Sequence, residues 1–273
     1  MSPRAILLFD IDGVIRDVSA SYRRAIAETV HHYCGWRPEP GAIDGLKSEG
    51  CWNNDWHASA ELIRRHRADR GDRTPEPSFP ALVEVFGGFY FGGDPDGDPA
   101  QWRGFIGDEP LLLDGACFER LTASGIAWGF VSGAEPPSCR FVLETRLGLA
   151  DPPLIAMGDA PDKPDPRGLI ALARRLVAQG GGVELGPDGP PVAYLGDTVA
   201  DVETVVRARG QLPHQRWLSL AVAPPHLGLP GAETARQHYE QALRAAGADR
   251  VLARSGDCQA VLEALLAAEG LGR

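Results

Sequence analysis

The sequence predicts an α/β fold, a doubly wound parallel sheet, from three observations. Short apolar runs recur along the chain, at Ala5–Phe9, Ala127–Val131, Leu154–Met157, Val192–Leu195, Trp217–Val222 and Arg250–Ala253. Amphipathic stretches alternate with them, at Cys139–Leu147, Pro166–Gln179, Val199–Arg209, Ala232–Ala246 and Asp257–Ala268. Short buried strands alternating with helices imply a parallel sheet with helices on both faces. The third observation is size: 273 residues, 44% of them hydrophobic, suit a large core with a smaller attached domain. Right-handed crossovers then gather the C-terminal ends of the strands on one edge, where such folds bind ligands.

The first run, Ala5–Phe9, leads into Asp10-Ile11-Asp12-Gly13, two carboxylates at the end of a buried strand. Ionised carboxylates are costly to bury without a partner. Alone, such a pair fits a nucleotide-sugar metal site or two capping aspartates as well as anything else. The stretch after it breaks the strand–helix rhythm. Its clearer features are helical, at Ala20–Cys34, His57–Asp69 and Pro80–Tyr90, with Pro- and Gly-rich turns such as "GDRTPEP" and "GGDPDGDP". We expect a core over residues 1–16 and 108–273 and a mainly helical insert over residues 17–107. Within the insert, "DPDGD" lacks glycine and glutamate where an EF-hand loop needs them, so a turn is expected there.

When the sheet resumes, three more polar clusters follow strand ends. They are Ser132-Gly133, then "PDKPDP" with Lys163, then "YLGDTVAD" with Asp197 and Asp201. Asp10, Asp197 and Asp201 supply the hard oxygen donors that Mg²⁺ prefers. A metal also answers the burial problem, because clustered carboxylates raise one another's pKa. With Lys163, the Ser132 hydroxyl and the N–H groups of the Asp10–Gly13 loop, the set suits a phosphoryl group, whose transfer is catalysed chiefly by charge stabilisation. Asp10 is then placed to attack phosphorus and Asp12 to handle the proton. "AVAPPHLG", Ala221–Gly228, follows the fifth strand and is expected at the rim of the same edge.

"DIDGV", "VSG", "KPDP" and "GDTVAD" resemble, in the same order, the four motifs of the haloacid dehalogenase superfamily of phosphohydrolases. The "KPDP" form, with an insert between the first and second motifs, is similar to subfamily IA with a helical cap. The resemblance implies a Rossmann-like core and a Mg²⁺-dependent phosphatase acting on a small phosphorylated metabolite through an aspartyl-phosphate. Carried onto this chain, Asp10 is the nucleophile and Asp12 the acid/base. Ser132, Gly133 and Lys163 bind the phosphoryl group. Asp10, the Asp12 carbonyl and Asp197 ligate Mg²⁺, with Asp201 as an outer or water-mediated ligand. One departure is Ala134, where many relatives carry arginine after "VSG".

The alternative is a phosphomutase of the β-phosphoglucomutase type, which shares every catalytic residue. A phosphonate hydrolase, with Lys47 as its Schiff-base lysine, is disfavoured by Asp12, which those enzymes lack. A dehalogenase is disfavoured on the same ground. A non-catalytic binding protein has no need of the complete motif set. Substrate choice is expected in "LKSEGCWNNDWHAS", where Lys47, Trp52, Asn53, Asn54 and Asp55 precede a helix. In the purely structural reading, Asp55 caps that helix and the tryptophans are core aromatics. The stretch also resembles a small, functionally unassigned clade of the superfamily, so it carries no substrate with it.

Bulk properties narrow the partners. A net charge of −10 argues against nucleic acid, which calls for a basic face. No run of ~20 apolar residues suits a membrane span, and the N-terminal apolar run is shorter than a signal peptide's, so a cytoplasmic protein is expected. The odd five cysteines, Cys34, Cys51, Cys117, Cys139 and Cys258, form no CxxC pair, so free thiols are expected. Only Lys47 and Lys163 among the 27 basic residues are lysine. Lysine surviving so strong an arginine bias marks places where a compact ammonium matters. Oligomeric state is not encoded in any of these features.

Overall fold

The computed structural model describes residues 2–47, 49, 52, 54–181 and 184–268. The chain divides into two compact units, Met1–Asp17 with Pro110–Arg273, and Val18–Glu109. These exchanges lie one and two residues beyond the expected 16/17 and 107/108. The two connecting segments pair with each other, which ties these residues to the first unit. Asp17 N–H donates to the Pro110 carbonyl at 2.9 Å, and Leu112 N–H to that of Ile15 at 2.8 Å.

The first unit holds six parallel strands: β1 (Ala5–Phe9), β2 (Ile126–Val131), β3 (Leu154–Ile155), β4 (Val192–Gly196), β5 (Trp217–Val222) and β6 (Arg250–Leu252). Their order is β3-β2-β1-β4-β5-β6, so the topological switch lies between the two central strands, β1 and β4. Strand β1 is fully buried on both faces. Ala5, Leu7 and Phe9 join one apolar core and Ile6 and Leu8 the other, which is why the strand is an unbroken apolar run. The first core is filled by α5 (Gly115–Ala123), α6 (Pro136–Arg140, continuing as a π-helix over Phe141–Arg146) and α10 (Cys258–Ala268). On the other face lie α7 (Arg167–Gln179) and α8 (Val199–Gln211), and α9 (Glu233–Ala246) packs on α8 through Leu243.

The second unit is helical: α1 (Ser21–Cys34), α2 (Pro40–Lys47), α3 (Asp55–Asp69) and α4 (Phe79–Tyr90). Gly35, in the left-handed conformation, ends α1 by donating to the His31 carbonyl. A buried Glu109 carboxylate ties the unit's end to its start, accepting from Ser21 Oγ at 2.5 Å and Tyr90 OH at 3.1 Å. Asp94–Asp98 is a turn, with Gly97 N–H donating to the Asp94 carbonyl. Cys34, Cys117, Cys139 and Cys258 are free thiols, and Cys51 lies outside the described residues. Among the described residues no helix is long and apolar enough to cross a membrane.

Two helices go beyond the sequence expectation. In α2, Pro40 and Gly41 suggest a turn, yet proline is well suited to a helix's first position. In α5, Asp114 caps the helix by accepting from Cys117 N–H, and Gly115 conceals its start. The stretch expected as Cys139–Leu147 begins earlier, at Pro136, and unwinds into the π-helix.

Candidate active site

The register Phe9↔Phe130 and Phe9↔Leu195 brings the ends of β1, β2 and β4 level, so the polar residues that follow them share one edge. Asp10, the first residue past β1, is buried, and its N–H donates to the Leu195 carbonyl at 2.8 Å. Gly13 has φ 73°, and a Cβ there would stand 2.0 Å from Asp197 Oδ2. Only glycine lets the loop turn and lie against that carboxylate. Gly196 is required by closeness alone, since its Cβ would meet Asp201 Cβ at 2.2 Å.

Lys163, beyond β3, reaches into this cluster. Its Nζ lies 2.9 Å from Asp10 Oδ2 and 2.5 Å from Asp201 Oδ1. It also donates to Tyr194 OH at 3.3 Å, and Tyr194 OH in turn donates to the Val131 carbonyl at 2.8 Å. Asp201 closes a capping box at the start of α8. Its Oδ2 accepts from Thr198 N and Oγ1, while Thr198 Oγ1 accepts from Asp201 N–H. Ser132 is buried past β2, its N–H donating to the Ile155 carbonyl and its Oγ accepting from Ala134 N–H at 3.2 Å; Gly133 lies between them.

Charge in the cluster is strongly redistributed. Burial pushes Asp10 up to about 6 against the pull of Lys163. Burial, with Asp201 and Asp10 adding their negative charge, holds Asp197 well above the usual carboxylate range. Asp201 is buried as well, yet the Lys163 ammonium and the Thr198 donors keep it below that range. Burial opposes the charge on Lys163, and Asp10 and Asp201 outweigh it, holding its pKa well above the ordinary value.

Ligand atoms of Asp10, Asp197 and Asp201 lie within 4.8 Å of one another. Among the described residues Asp10 Oδ1 is buried without a hydrogen-bond partner. An orphaned carboxylate oxygen in a set of buried carboxylates fits a hard divalent cation. Both Asp201 oxygens are engaged, Oδ1 by Lys163 and Oδ2 by Thr198. Asp201 therefore anchors the lysine and the helix, which leaves Asp10 and Asp197 as the buried carboxylates that could hold a cation.

Asp12 is half-buried, and its Oδ1 accepts from Arg16 Nε at 2.8 Å and pairs with Nη2 at 2.7 Å. Sequence reasoning missed Arg16 and Tyr194. An arginine four residues from a catalytic-type aspartate, and a tyrosine inside an otherwise apolar strand, were the available signals. Gly13 and the Val222–Pro225 segment of the expected rim line a cavity of about 320 Å³ with Arg236 and Ser255.

The residues expected to choose the substrate lie in the helical unit. Lys47 pairs with Asp55 at 2.5 Å, and Trp52 Nε1 donates to Glu49 at 2.9 Å. Asn54, rather than Asp55, caps α3, accepting from Trp56 N–H and His57 N–H. Asn53 lies outside the described residues.

Solved structures share this fold. A phosphonoacetaldehyde hydrolase-like protein of Oleispira antarctica is 20% identical, with a TM-score of 0.66 over 99% of this chain and 95% of its own. The phosphatase Tt82 of Thermococcus thioreducens is 21% identical, with a TM-score of 0.59 over 87% of this chain and 98% of its own. In sequence the chain is 29% identical, over 203 residues, to an imidazoleglycerol-phosphate dehydratase of Phytophthora nicotianae. The match takes in 74% of this chain and only 41% of that protein's length. The family model for haloacid dehalogenase-like hydrolases matches residues 5–209, most of the chain and all four strand-end clusters. The chain belongs to the haloacid dehalogenase-like hydrolases.

Proposed function

We propose that the protein is a phosphatase of small phosphate monoesters that works through an aspartyl-phosphate on Asp10. The observation that carries this reading is the buried Asp10 carboxylate, one oxygen 2.9 Å from the Lys163 ammonium and the other without a partner among the described residues. Asp10 attacks phosphorus as the bond to the leaving oxygen breaks, and Asp12 gives that oxygen its proton. Asp12, now ionised, takes a proton from the water that hydrolyses the acyl phosphate and frees Asp10. Lys163, Ser132 and the Gly133 backbone hold the phosphoryl oxygens. Asp10, Asp197 and the Asp12 carbonyl would hold Mg²⁺, which supplies charge neutralisation at the phosphoryl group when bound. Lys47, Trp52, Asn53, Asn54 and Asp55 are the proposed substrate-selecting stretch of the helical unit.

The substrate class to try first is an imidazole-bearing polyol phosphate, because one relative is named for imidazoleglycerol phosphate. The test is phosphate release from such esters, from sugar and alcohol phosphates, and from an aryl phosphate, against an Asp10→Asn control. Release at the control's rate throughout would overturn the reading. Conversion of a sugar 1-phosphate to its 6-phosphate would replace phosphatase with mutase.

Metal linkage gives a second expected outcome. The raised pKa of Asp10 means that the metal-free fold gains stability from this group at low pH and loses it as pH rises from 3.8 through about 6. A cation competes with that proton, so stabilisation by Mg²⁺ grows over the same window. At a hundredfold excess over its dissociation constant it is worth about 2.7 kcal/mol. Calorimetry with and without Mg²⁺ across this range checks it, and a pH-independent or absent shift contradicts it.

A further inference from the structure

Arg16 is fully buried, an arginine in the interior of the core unit. Its backbone is fixed by three contacts: its carbonyl accepts from Gly13 N–H at 2.8 Å, its N–H donates to the Ile11 carbonyl, and it bridges Leu111 on the returning segment. Its guanidinium is gripped from two sides. Nε and Nη2 both meet Asp12 Oδ1, at 2.8 and 2.7 Å, and Nη2 donates to the buried Ser138 Oγ of α6 at 2.7 Å. Burying a guanidinium is expensive, and a well-packed apolar side chain of similar volume commonly gives equal or better stability. Stability is therefore a poor reason for an arginine here. Geometry is a better one: a planar fork, anchored on a helix and on its own backbone, fixes the carboxylate it touches.

Resting on the phosphatase reading, we infer that Arg16 is the positioning residue for the acid/base: it holds the Asp12 carboxyl group where the leaving oxygen must be protonated. In the step concerned, the Asp10 Oδ–P bond forms, the bond from phosphorus to the leaving oxygen breaks, and the Asp12 proton passes to that oxygen. An alkoxide cannot leave unprotonated, whereas a nitrophenolate leaves readily without help. Loss of the guanidinium thus penalises alkyl esters selectively. Ser138 acts one step further out, accepting from the same Nη2 that meets Asp12.

The experiment measures kcat/KM for an alkyl phosphate and for p-nitrophenyl phosphate in Arg16→Met and Arg16→Lys. This parameter reports phosphoryl transfer to Asp10 and is blind to the later hydrolysis that both esters share. In Arg16→Met the alkyl-to-aryl ratio falls by about 10², the scale of a lost general acid. Arg16→Lys keeps a buried cation for Asp12 and gives an intermediate ratio; it also carries the test should the Met variant not fold. A general loosening of the structure would lower both esters alike. Equal losses, or an unchanged ratio in either folded variant, overturn the inference and leave the phosphatase reading intact. Failure of that reading appears elsewhere, as a wild-type chain that turns over neither ester faster than Asp10→Asn.

Discussion

An Asp10→Asn chain is expected to fold, to unfold at least as high as the wild type in the absence of metal, and to release no phosphate. The amide is nearly isosteric, so the shape of the β1 end is kept, but it cannot attack phosphorus. Removing the nucleophile of an enzyme acting by covalent catalysis costs on the order of 10⁴ to 10⁶ in kcat. The stability expectation follows from the electrostatics. Burial holds Asp10 up to about 6, so its ionised form is a burden at neutral pH, and the neutral amide removes that burden. Lys163 retains Asp201 at 2.5 Å as its counterion, so no buried cation is orphaned. Stabilisation by Mg²⁺ should shrink at the same time, because one of the two proposed side-chain ligands has gone. A variant that is inactive because it is unfolded, or one that retains turnover, would each contradict this account. Thermal unfolding and phosphate release on the same sample distinguish the cases.

The residues that were legible in the sequence are those whose environment is dictated locally. A central parallel strand must be apolar on both faces, so Ala5–Phe9 and Val192–Leu195 stand out as runs, and polar clusters after them can only lie at one edge. Asp10, Ser132, Lys163, Asp197 and Asp201 are visible for that reason. What distinguishes them is not local. Asp201 is both a helix cap and the lysine's anchor, and that dual role depends on Lys163, 38 residues away. Tyr194 matters because its hydroxyl joins Val131 to Lys163, and Arg16 because it reaches Ser138 across 122 residues. No periodicity encodes such pairings. In the helical unit the same limit applied at shorter range. Lys47 and Asp55, both in the stretch expected to choose the substrate, pair with each other across the α2–α3 junction. The capping role assigned to Asp55 belongs to Asn54, one residue earlier, a shift within the ordinary uncertainty of helix ends.

Replacing Lys163 by methionine is expected to damage the protein more broadly than any other single change at this edge. Its ammonium lies 2.9 Å from Asp10 and 2.5 Å from Asp201, and both carboxylates are buried. Methionine fills similar volume and leaves Asp10, Asp197 and Asp201 facing one another without that cation, at a cost of about 3–5 kcal/mol. The sign of the pH dependence follows. The lowered pKa of Asp201 contributes stability present above the unfolded carboxylate range, and Lys163 is its chief charged source. Asp10 and Asp197 are raised already and rise further without the lysine, so their contribution is present at low pH and lost on raising it. The deficit of Lys163→Met should thus be greatest near neutrality and shrink on acidification, and added Mg²⁺ should restore part of it. Lys163→Arg isolates the shape of the cation from its charge. A guanidinium retains the charge and so most of the stability, but it is a broad planar fork where two carboxylates and a tyrosine hydroxyl surround a single nitrogen. Turnover should therefore remain low, by about 10² or more, the usual loss when one charge-stabilising donor is misplaced. Equal activity in the arginine variant would mean that lysine's survival here, in a chain that uses arginine at 25 of its 27 basic positions, carries no chemical meaning. Low activity with retained stability would assign it one: a point charge is what a phosphoryl oxygen beside Asp10 requires.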